Sequence, residues 1–89
     1  MNHVSIRISG KVQGVYFRAS TKEVAEKFGI KGFVQNERDG SVYVEAEGDE
    51  ESLKQFVAWC HHGPLHAEVR HVDLREGIAQ GFTGFDIRR

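Results

Sequence analysis

The sequence predicts an α+β fold in which an antiparallel sheet carries two helices on one face. Two observations lead to this prediction. Segments in which apolar and polar residues alternate, as in strands, occur on both sides of two segments with helical spacing. Asp39-Gly40, a sequence that favours a hairpin, lies between the two middle strand segments. The length of 89 residues suits one domain, and we expect a single domain over residues 1–89.

The first half of the chain predicts a strand, a helix and a hairpin. Residues 3–9 alternate apolar and polar residues and are predicted as a strand. After a turn with two glycines, apolar residues recur with helical spacing from Phe17 to Phe28, and Gly29 suits a left-handed C-cap. The second and third strands are predicted at Ile30 to Glu37 and at Ser41 to Glu47.

A second helix and two more strands follow. Asp49 is a suitable N-cap, the next two residues are acidic as the helix dipole favours, and Gly63-Pro64 ends the helix. Its apolar residues share one helical face and are Leu53, Phe56, Val57 and Cys60. The fourth strand, Ala67 to Arg75, changes its apolar phase midway, so we expect a β-bulge near Arg70-His71. A loop covers Glu76 to Gly84.

Phe85 and Ile87 predict a short C-terminal strand. The full order is therefore strand, helix, strand, strand, helix, strand, with this terminal strand added. That order predicts the split βαβ, or ferredoxin-like, arrangement of an antiparallel sheet with both helices on one face. The topology alone does not indicate a function, because it supports many functions.

The turn from Gly10 to Arg18 predicts an anion site. It connects a strand to a helix start, where backbone N–H groups lack partners and the helix dipole is positive. Arg18 in the first helical turn opposes that dipole by about 0.3–1 kcal/mol, and a bound phosphate or carboxylate would reverse the sign. The residues alone leave a second interpretation open, a tight connection that needs glycine, with Arg18 solvated.

Composition argues against several classes of partner. The net charge of -1 and the pI of about 6.5 provide no basic field for nucleic acid. Phe33 and Tyr43 could resemble the aromatic platform of RNA-binding domains, but Glu45 and Glu47 accompany them on the third strand. The N-terminus has no apolar run long enough for a signal peptide or a membrane span. We expect a cytoplasmic protein with neither a nucleic-acid nor a membrane partner.

The sequence predicts no metal, cofactor or disulfide. The single cysteine, Cys60, cannot form an internal disulfide and lies on the apolar helix face, which indicates an inert core thiol. Four histidines lie close together in sequence but cross a Gly-Pro break without the spacing of a metal site: His61, His62, His66 and His71. We interpret them as surface residues, and Trp59 as a packing residue.

Two motifs resemble the signatures of the acylphosphatase family. The first is the run Gly10-Lys11-Val12-Gln13-Gly14-Val15-Tyr16-Phe17-Arg18. The second is Gly32-Phe33-Val34-Gln35-Asn36, followed by Asp39-Gly40-Ser41-Val42 and by Gly48. The resemblance continues through Trp59, Gly63-Pro64, Ala67, Val69, Val72 and Phe85-Asp86-Ile87, so it covers nearly the whole chain.

The resemblance implies a ferredoxin-like fold and metal-independent hydrolysis of acyl phosphates, which are mixed anhydrides of phosphate with a carboxylic or carbamic acid. By position, Arg18 matches the family's phosphate-binding arginine and Asn36 matches the asparagine that holds the attacking water. The amides that match the family's phosphate cradle belong to Gln13, Gly14, Val15, Tyr16 and Phe17. Gln35 and Phe33 depart mildly from the family pattern at positions without a catalytic role.

The partners implied are an acyl phosphate substrate and, as competing anions, inorganic phosphate or sulfate; we expect a monomer without a cofactor. An alternative interpretation is a non-catalytic module of the same fold that binds anions or acyl phosphates, or a regulatory domain. On its own, Asn36 near a hairpin is also compatible with ordinary turn chemistry. An RNA-binding role ranks third.

Overall fold

The structure is a computed structural model, and it describes residues 2–89. Its elements are β1 His3–Lys11, α1 Phe17–Lys27, β2 Lys31–Asn36, β3 Val42–Glu47, α2 Glu50–Cys60, β4 Glu68–Glu76 and β5 Phe85–Arg88. The order and type of all seven elements agree with the sequence prediction, and their bounds differ from it by at most two residues, apart from the end of α2. The strands form one sheet in the order β4-β1-β3-β2-β5.

The strand directions bring three chain segments to one end of the sheet. β3 pairs antiparallel with both β1 and β2, so β1 and β2 run in the same direction. β4 pairs antiparallel with β1, whereas β5 pairs parallel with β2 and makes the sheet mixed. The carboxyl ends of β1, β2 and β5 therefore meet at one end of the sheet, where α1 also begins.

Both helices cover the same face of the sheet and bury one core. The strands contribute fully buried aliphatic residues, among them Val4, Ile6, Ile8, Val34, Val42 and Val44. The helices contribute Phe17, Ala25, Leu53, Phe56 and Cys60, with Thr21 beside them. The predicted apolar face of α2 is confirmed, although Val57 is only partly buried. This is the α+β, ferredoxin-like arrangement that the sequence predicts.

The predicted β-bulge lies where β4 follows the end of β1. Ser9 pairs with His71 and Gly10 pairs with Val69, so Arg70 is the extra residue. Gly10 has a φ of 128°, and a Cβ atom there would lie 2.1 Å from the carbonyl oxygen of Glu68. Only glycine fits this contact. The bulge lies beside Gly10, at the point where β1 leads into the following turn.

The two helices are short and begin differently. Each has 11 residues, and no helix within residues 2–89 is long and apolar enough to cross a membrane. The prediction that Asp49 caps α2 is confirmed, because its side chain accepts a hydrogen bond from the amide of Ser52 at 2.9 Å. At the start of α1, Tyr16 provides no side-chain cap.

Glu47 fastens the loop before β5 at the opposite end of the sheet. Its carboxylate accepts hydrogen bonds from the amide of Gln80, from that of Gly81 at 3.0 Å and from that of Phe82 at 3.2 Å. Burial raises the pKa of Glu47, but these amides and His3 stabilise the carboxylate, and the pKa lies below its ordinary value. The sequence does not predict that Glu47 anchors this loop, because its pattern indicates only a charged residue on the surface of a strand.

His3 completes this anchor. Its Nδ1 lies 2.6 Å from the Glu47 carboxylate and its Nε2 lies 3.4 Å from that of Glu45, while its ring stacks on Phe82. The carbonyl of His3 also accepts a hydrogen bond from the amide of Gly77 at 3.0 Å. The loop from 77 to 84 is therefore held to the start of β1 and to the end of β3.

Candidate active site

The turn between β1 and α1 presents consecutive backbone amides without acceptors. Gly14 has a φ of 75° and Tyr16 a φ of 63°, so both adopt left-handed conformations. Such turns point successive N–H groups to one side, which is the arrangement of an anion-binding nest. Within residues 2–89, no group accepts a hydrogen bond from the amides of Gln13, Gly14, Val15, Tyr16 and Phe17.

The start of α1 keeps its positive dipole field available. Its first turn contains no acidic residue and no capping side chain, whereas α2 begins with Asp49, Glu50 and Glu51. Acidic side chains compensate the dipole of α2 within the protein itself. At α1 that compensation has to come from solvent or from a bound anion.

Arg18 brings a cation to the same place without an internal counter-ion. Its guanidinium makes one hydrogen bond in the described part of the chain, from Nη1 to the carbonyl oxygen of Arg88 at 3.4 Å. No carboxylate of residues 2–89 lies within 4.0 Å of it. Most of its five N–H donors are therefore available, and their planar fork suits two oxygens of one phosphate or carboxylate.

Asn36 reaches this site from β2. It is the last residue of that strand, is partly buried and has no side-chain hydrogen bond among the described residues. A depression of about 490 Å³ contains both Asn36 and Arg18 in its wall. The residues that line it are Val12, Gly14, Tyr16, Phe17, Arg18, Ala19, Asn36, Ile87 and Arg89.

The structure places most, but not all, of the predicted site residues around this depression. Gly14, Tyr16, Phe17 and Arg18 line it together with Asn36. The other two predicted residues, Gln13 and Val15, are not in its wall. Gln13 and Val15 could therefore contact a bound anion only through their backbone amides.

The side chains of Gln13 and Val15 support the turn instead. Gln13 Nε2 donates to the carbonyl oxygens of Glu37 at 2.8 Å and of Ser41 at 2.9 Å, which ties the turn to the β2–β3 connection. Val15 is buried and belongs to the core. The hydrogen bonds of Gln13 and the burial of Val15 fix the turn relative to β2, and so relative to Asn36.

Sequence reasoning missed the contribution of the C-terminal strand. Ile87 and Arg89 line the depression, and the carbonyl of Arg88 contacts Arg18. An adjoining depression of about 600 Å³ shares Asn36 and Arg89 and extends to Arg38 on the β2–β3 connection. The parallel pairing of β5 with β2 brings these residues there, and no local pattern in the sequence indicates that pairing.

The remaining candidate groups lie elsewhere. The four histidines are exposed, and no group of three or more His, Cys, Asp or Glu residues within residues 2–89 could hold a metal ion. Cys60 is completely buried in the core as predicted, and burial raises the pKa of its thiol, which disfavours the reactive thiolate. Trp59 packs against Phe17 with ring centroids 5.6 Å apart.

The aromatic residues on the open face of the sheet are already engaged. The Arg88 guanidinium lies 3.8 Å from the centroid of Phe33, and that of Arg7 lies 5.2 Å from the centroid of Tyr43. The Tyr43 hydroxyl donates to Glu45 at 2.7 Å. Stacking of RNA bases needs aromatic faces without such partners, so this face does not support the RNA-binding interpretation.

Comparison with known proteins agrees with the geometry. A sequence model of the acylphosphatase family, described as "Acylphosphatase", matches residues 4–87. An acylphosphatase from Nocardioides sp. is 44% identical over 85 residues, which cover 96% of this chain and 86% of that protein. A crystal structure of the acylphosphatase from Bacillus subtilis superimposes with a TM-score of 0.96, 33% identity and complete coverage of both chains.

This chain is also similar to one region of a larger protein. In a crystal structure of full-length HypF in its phosphate- and nucleotide-bound form, the matching region gives a TM-score of 0.88 with 27% identity. It covers 99% of this chain and 12% of that one.

Proposed function

The chain belongs to the acylphosphatase family, and from this premise we propose that it hydrolyses acyl phosphates to a carboxylate and inorganic phosphate through Arg18, Asn36 and the Gly10–Arg18 turn. One observation carries the proposal. Around one depression lie the side chain of Asn36, the guanidinium of Arg18 and residues of a turn; among residues 2–89, no carboxylate pairs with this guanidinium and no group accepts from the amides of the turn.

The turn and Arg18 hold the phosphoryl group. The backbone amides of residues 13–17 donate to its oxygens, and the guanidinium of Arg18 donates to two of them through its fork. Phosphoryl transfer depends on in-line positioning and on stabilisation of charge on the equatorial oxygens. This arrangement supplies both from the protein itself, so the proposed hydrolysis is independent of metal.

Asn36 orients the attacking water. A neutral amide can hold a water by hydrogen bonds but is a poor base, so the proton of the water passes to a phosphoryl oxygen. The bond between phosphorus and the water oxygen forms while the bond to the acyl oxygen breaks, and that electron pair leaves with the carboxylate. A carboxylate is a weak base and leaves without a general acid.

Phosphate release from acetyl phosphate in the presence of excess chelator tests the reaction, and H₂¹⁸O tests the bond that breaks. We expect steady release, with the label in phosphate rather than in acetate. Inorganic phosphate and sulfate should inhibit competitively. Binding of acetyl phosphate without release would instead identify a non-catalytic module, and label in acetate would contradict attack at phosphorus.

Asn36→Ala and Arg18→Ala test the two assigned residues. Loss of one preorganised donor costs about 2.7–4 kcal/mol in the barrier, which corresponds to a reduction in kcat of roughly 10²–10³-fold. Near-normal turnover by either variant would overturn that assignment. We also propose that the chain acts as a monomeric, cytoplasmic, single-domain enzyme, and sedimentation of the purified protein tests the first of these points.

A further inference from the structure

Tyr16 combines backbone strain with unusual exposure. Within residues 2–89 it is the one residue other than glycine with a positive φ, 63°, and its side chain is 82% exposed. A left-handed conformation is costly for a bulky side chain, and such strain is concentrated at functional sites. A glycine or an asparagine would relieve the strain, so the aromatic ring at this position needs an explanation.

The position of Tyr16 distinguishes it from other exposed apolar residues. Leu65 and Ile78 are 91% and 88% exposed, but neither has a positive φ and neither lines the depression that holds Arg18. Tyr16 lines that depression, and within residues 2–89 nothing accepts a hydrogen bond from its hydroxyl. Among the described residues, neither a hydroxyl acceptor nor a stacked aromatic ring accounts for its position.

The depression is larger than a phosphoryl group. At about 30 Å³ for each water-sized group, the three oxygens of one phosphoryl group fill roughly a fifth of the 490 Å³. The rest of the wall is partly apolar, because Val12, Ala19 and Ile87 contribute to it together with the Tyr16 ring. This remaining volume suits the acyl part of a substrate.

We infer that Tyr16 is a specificity-determining residue whose ring contacts the acyl group and favours acyl phosphates with a planar, apolar acyl group. The inference rests on the proposed function. In-line displacement requires the leaving carboxylate to lie opposite the attacking water. Tyr16 lies where the turn meets α1, whereas Asn36 lies at the end of β2, and we assign the acyl group to the first position and the attacking water to the second.

The test compares kcat/KM for benzoyl phosphate and acetyl phosphate in Tyr16→Phe and Tyr16→Asn variants. Both substrates release a carboxylate, and only benzoyl phosphate offers a ring to the subsite. Asparagine tolerates the left-handed backbone, so Tyr16→Asn removes the ring without adding strain. We expect the ratio of kcat/KM for benzoyl phosphate to that for acetyl phosphate to fall about tenfold in this variant, the lower end of discrimination by apolar contacts. Tyr16→Phe should keep the wild-type ratio.

The inhibition constant of inorganic phosphate, which reports the phosphoryl site including the Tyr16 amide, is measured in all three proteins so that a loss common to both substrates can be assigned to that site. Equal losses on both substrates, or no loss on benzoyl phosphate, would overturn the assignment of Tyr16 while leaving the proposed function intact. A wild-type protein that hydrolyses neither substrate would overturn the proposed function and this inference together.

Arg89 suggests a competing possibility, a cationic subsite for a negatively charged acyl group, because it lines the same depression and the adjoining one. An acyl phosphate with a distal carboxylate, such as succinyl phosphate, provides the matching probe. A wild-type preference for this probe over benzoyl phosphate that Arg89→Gln abolishes would show a cationic subsite and overturn the inference. We expect the wild type to prefer benzoyl phosphate, and Arg89→Gln to keep that preference.

Discussion

Each end of the sheet has a cluster of backbone N–H groups outside the strands, and the two clusters differ in whether the chain supplies an acceptor. Near the start of β5, the amides of Gln80, Gly81 and Phe82 converge on one carboxylate, which Glu47 supplies from within the chain. At the other end, the amides of residues 13–17 have no acceptor among the described residues, and the side chains that line the depression beside them include two arginines and no carboxylate. The first cluster has its acceptor within the chain, whereas the described residues offer the second cluster none.

The difference shows how one kind of backbone geometry serves either structure or function. An internal carboxylate satisfies its amides permanently and fixes a loop. A cluster without one leaves its amides and its cation available, and the fold bears that cost locally, through an uncapped helix and a strained Tyr16. Substitutions at the two ends should therefore affect different observables.

The largest effect is expected from Arg18→Lys and Arg18→Ala. Lysine keeps the charge but not the planar fork, so both variants should lose roughly 10²–10³-fold in kcat/KM for acetyl phosphate, or about 2.7–4 kcal/mol. Thermal stability should stay the same or rise slightly in Arg18→Ala, because a cation at the helix start opposes the dipole. Steady-state kinetics and thermal denaturation check the two halves of this prediction.

Lys22→Ala is the matched control, since it removes a cation from α1 one turn further along. It should keep full activity. An active Arg18→Lys, or a control as impaired as Arg18→Ala, would show that charge alone explains the effect and that the fork is unnecessary.

The opposite pattern is expected from Glu47→Ala. The variant leaves three amides and His3 without their acceptor, so the free energy of unfolding should fall by about 2 kcal/mol. For a domain of this size the midpoint should fall on the order of 10 °C. Below that midpoint, kcat should stay within about twofold of the wild type. Urea denaturation and kinetics of the same sample provide both readouts.

Glu26→Ala, which removes an exposed glutamate from α1, serves as its control and should change stability by less than about 0.5 kcal/mol. A Glu47→Ala protein as stable as this control would show that water replaces the carboxylate without loss.

A smaller effect is expected from inorganic phosphate, which should raise the thermal stability only of proteins in which the Arg18 site is intact. At ten times its dissociation constant, a ligand stabilises the native state by about 1.4 kcal/mol. Thermal denaturation should show this shift in the wild type and in Glu47→Ala, but not in Arg18→Ala at the same phosphate concentration. Sodium chloride at matched ionic strength is the control, and a shift that persists in Arg18→Ala would place the bound phosphate elsewhere.

The smallest expected effect is a pH dependence confined to the Glu47 end. Hydrogen bonds hold the pKa of Glu47 below its ordinary value, so its contribution to stability is complete above the unfolded pKa and is lost as the pH falls through the folded pKa. The difference in unfolding free energy between the wild type and Glu47→Gln should therefore shrink as the pH falls below about pH 4.5. Urea denaturation at four pH values checks it, and a difference that grows on acidification would contradict it.

Local patterns were sufficient to predict most of the fold. The bulge at Arg70 follows from a change of phase within a single strand, and the Asp49 cap follows from residues in one helical turn. Arg18 and Asn36 were predicted from motifs, and the structure brings them to one depression because β1 and β2 run in the same direction. Their chemical roles remain predictions.

The contacts that escaped prediction are those between distant parts of the chain. His3 and Glu47 are 44 residues apart, and Arg18 and the carbonyl of Arg88 are 70 residues apart. Neither contact leaves a local pattern, because the pairing of β1 with β3 and of β5 with β2 creates it. The three glycines between residues 77 and 84 indicate a loop, but they do not indicate which carboxylate fastens it.

The packing of Trp59 on Phe17 gives the molecule a built-in optical probe. Trp59 is the sole tryptophan of the sequence, and Phe17 is the residue at which the Gly10–Arg18 turn becomes α1. A change in the turn as it closes on an anion would alter the surroundings of this one indole, so intrinsic fluorescence can follow site occupancy in the unlabelled protein. Because the signal comes from a single chromophore, a stopped-flow trace would report one local event, and binding could be timed separately from turnover.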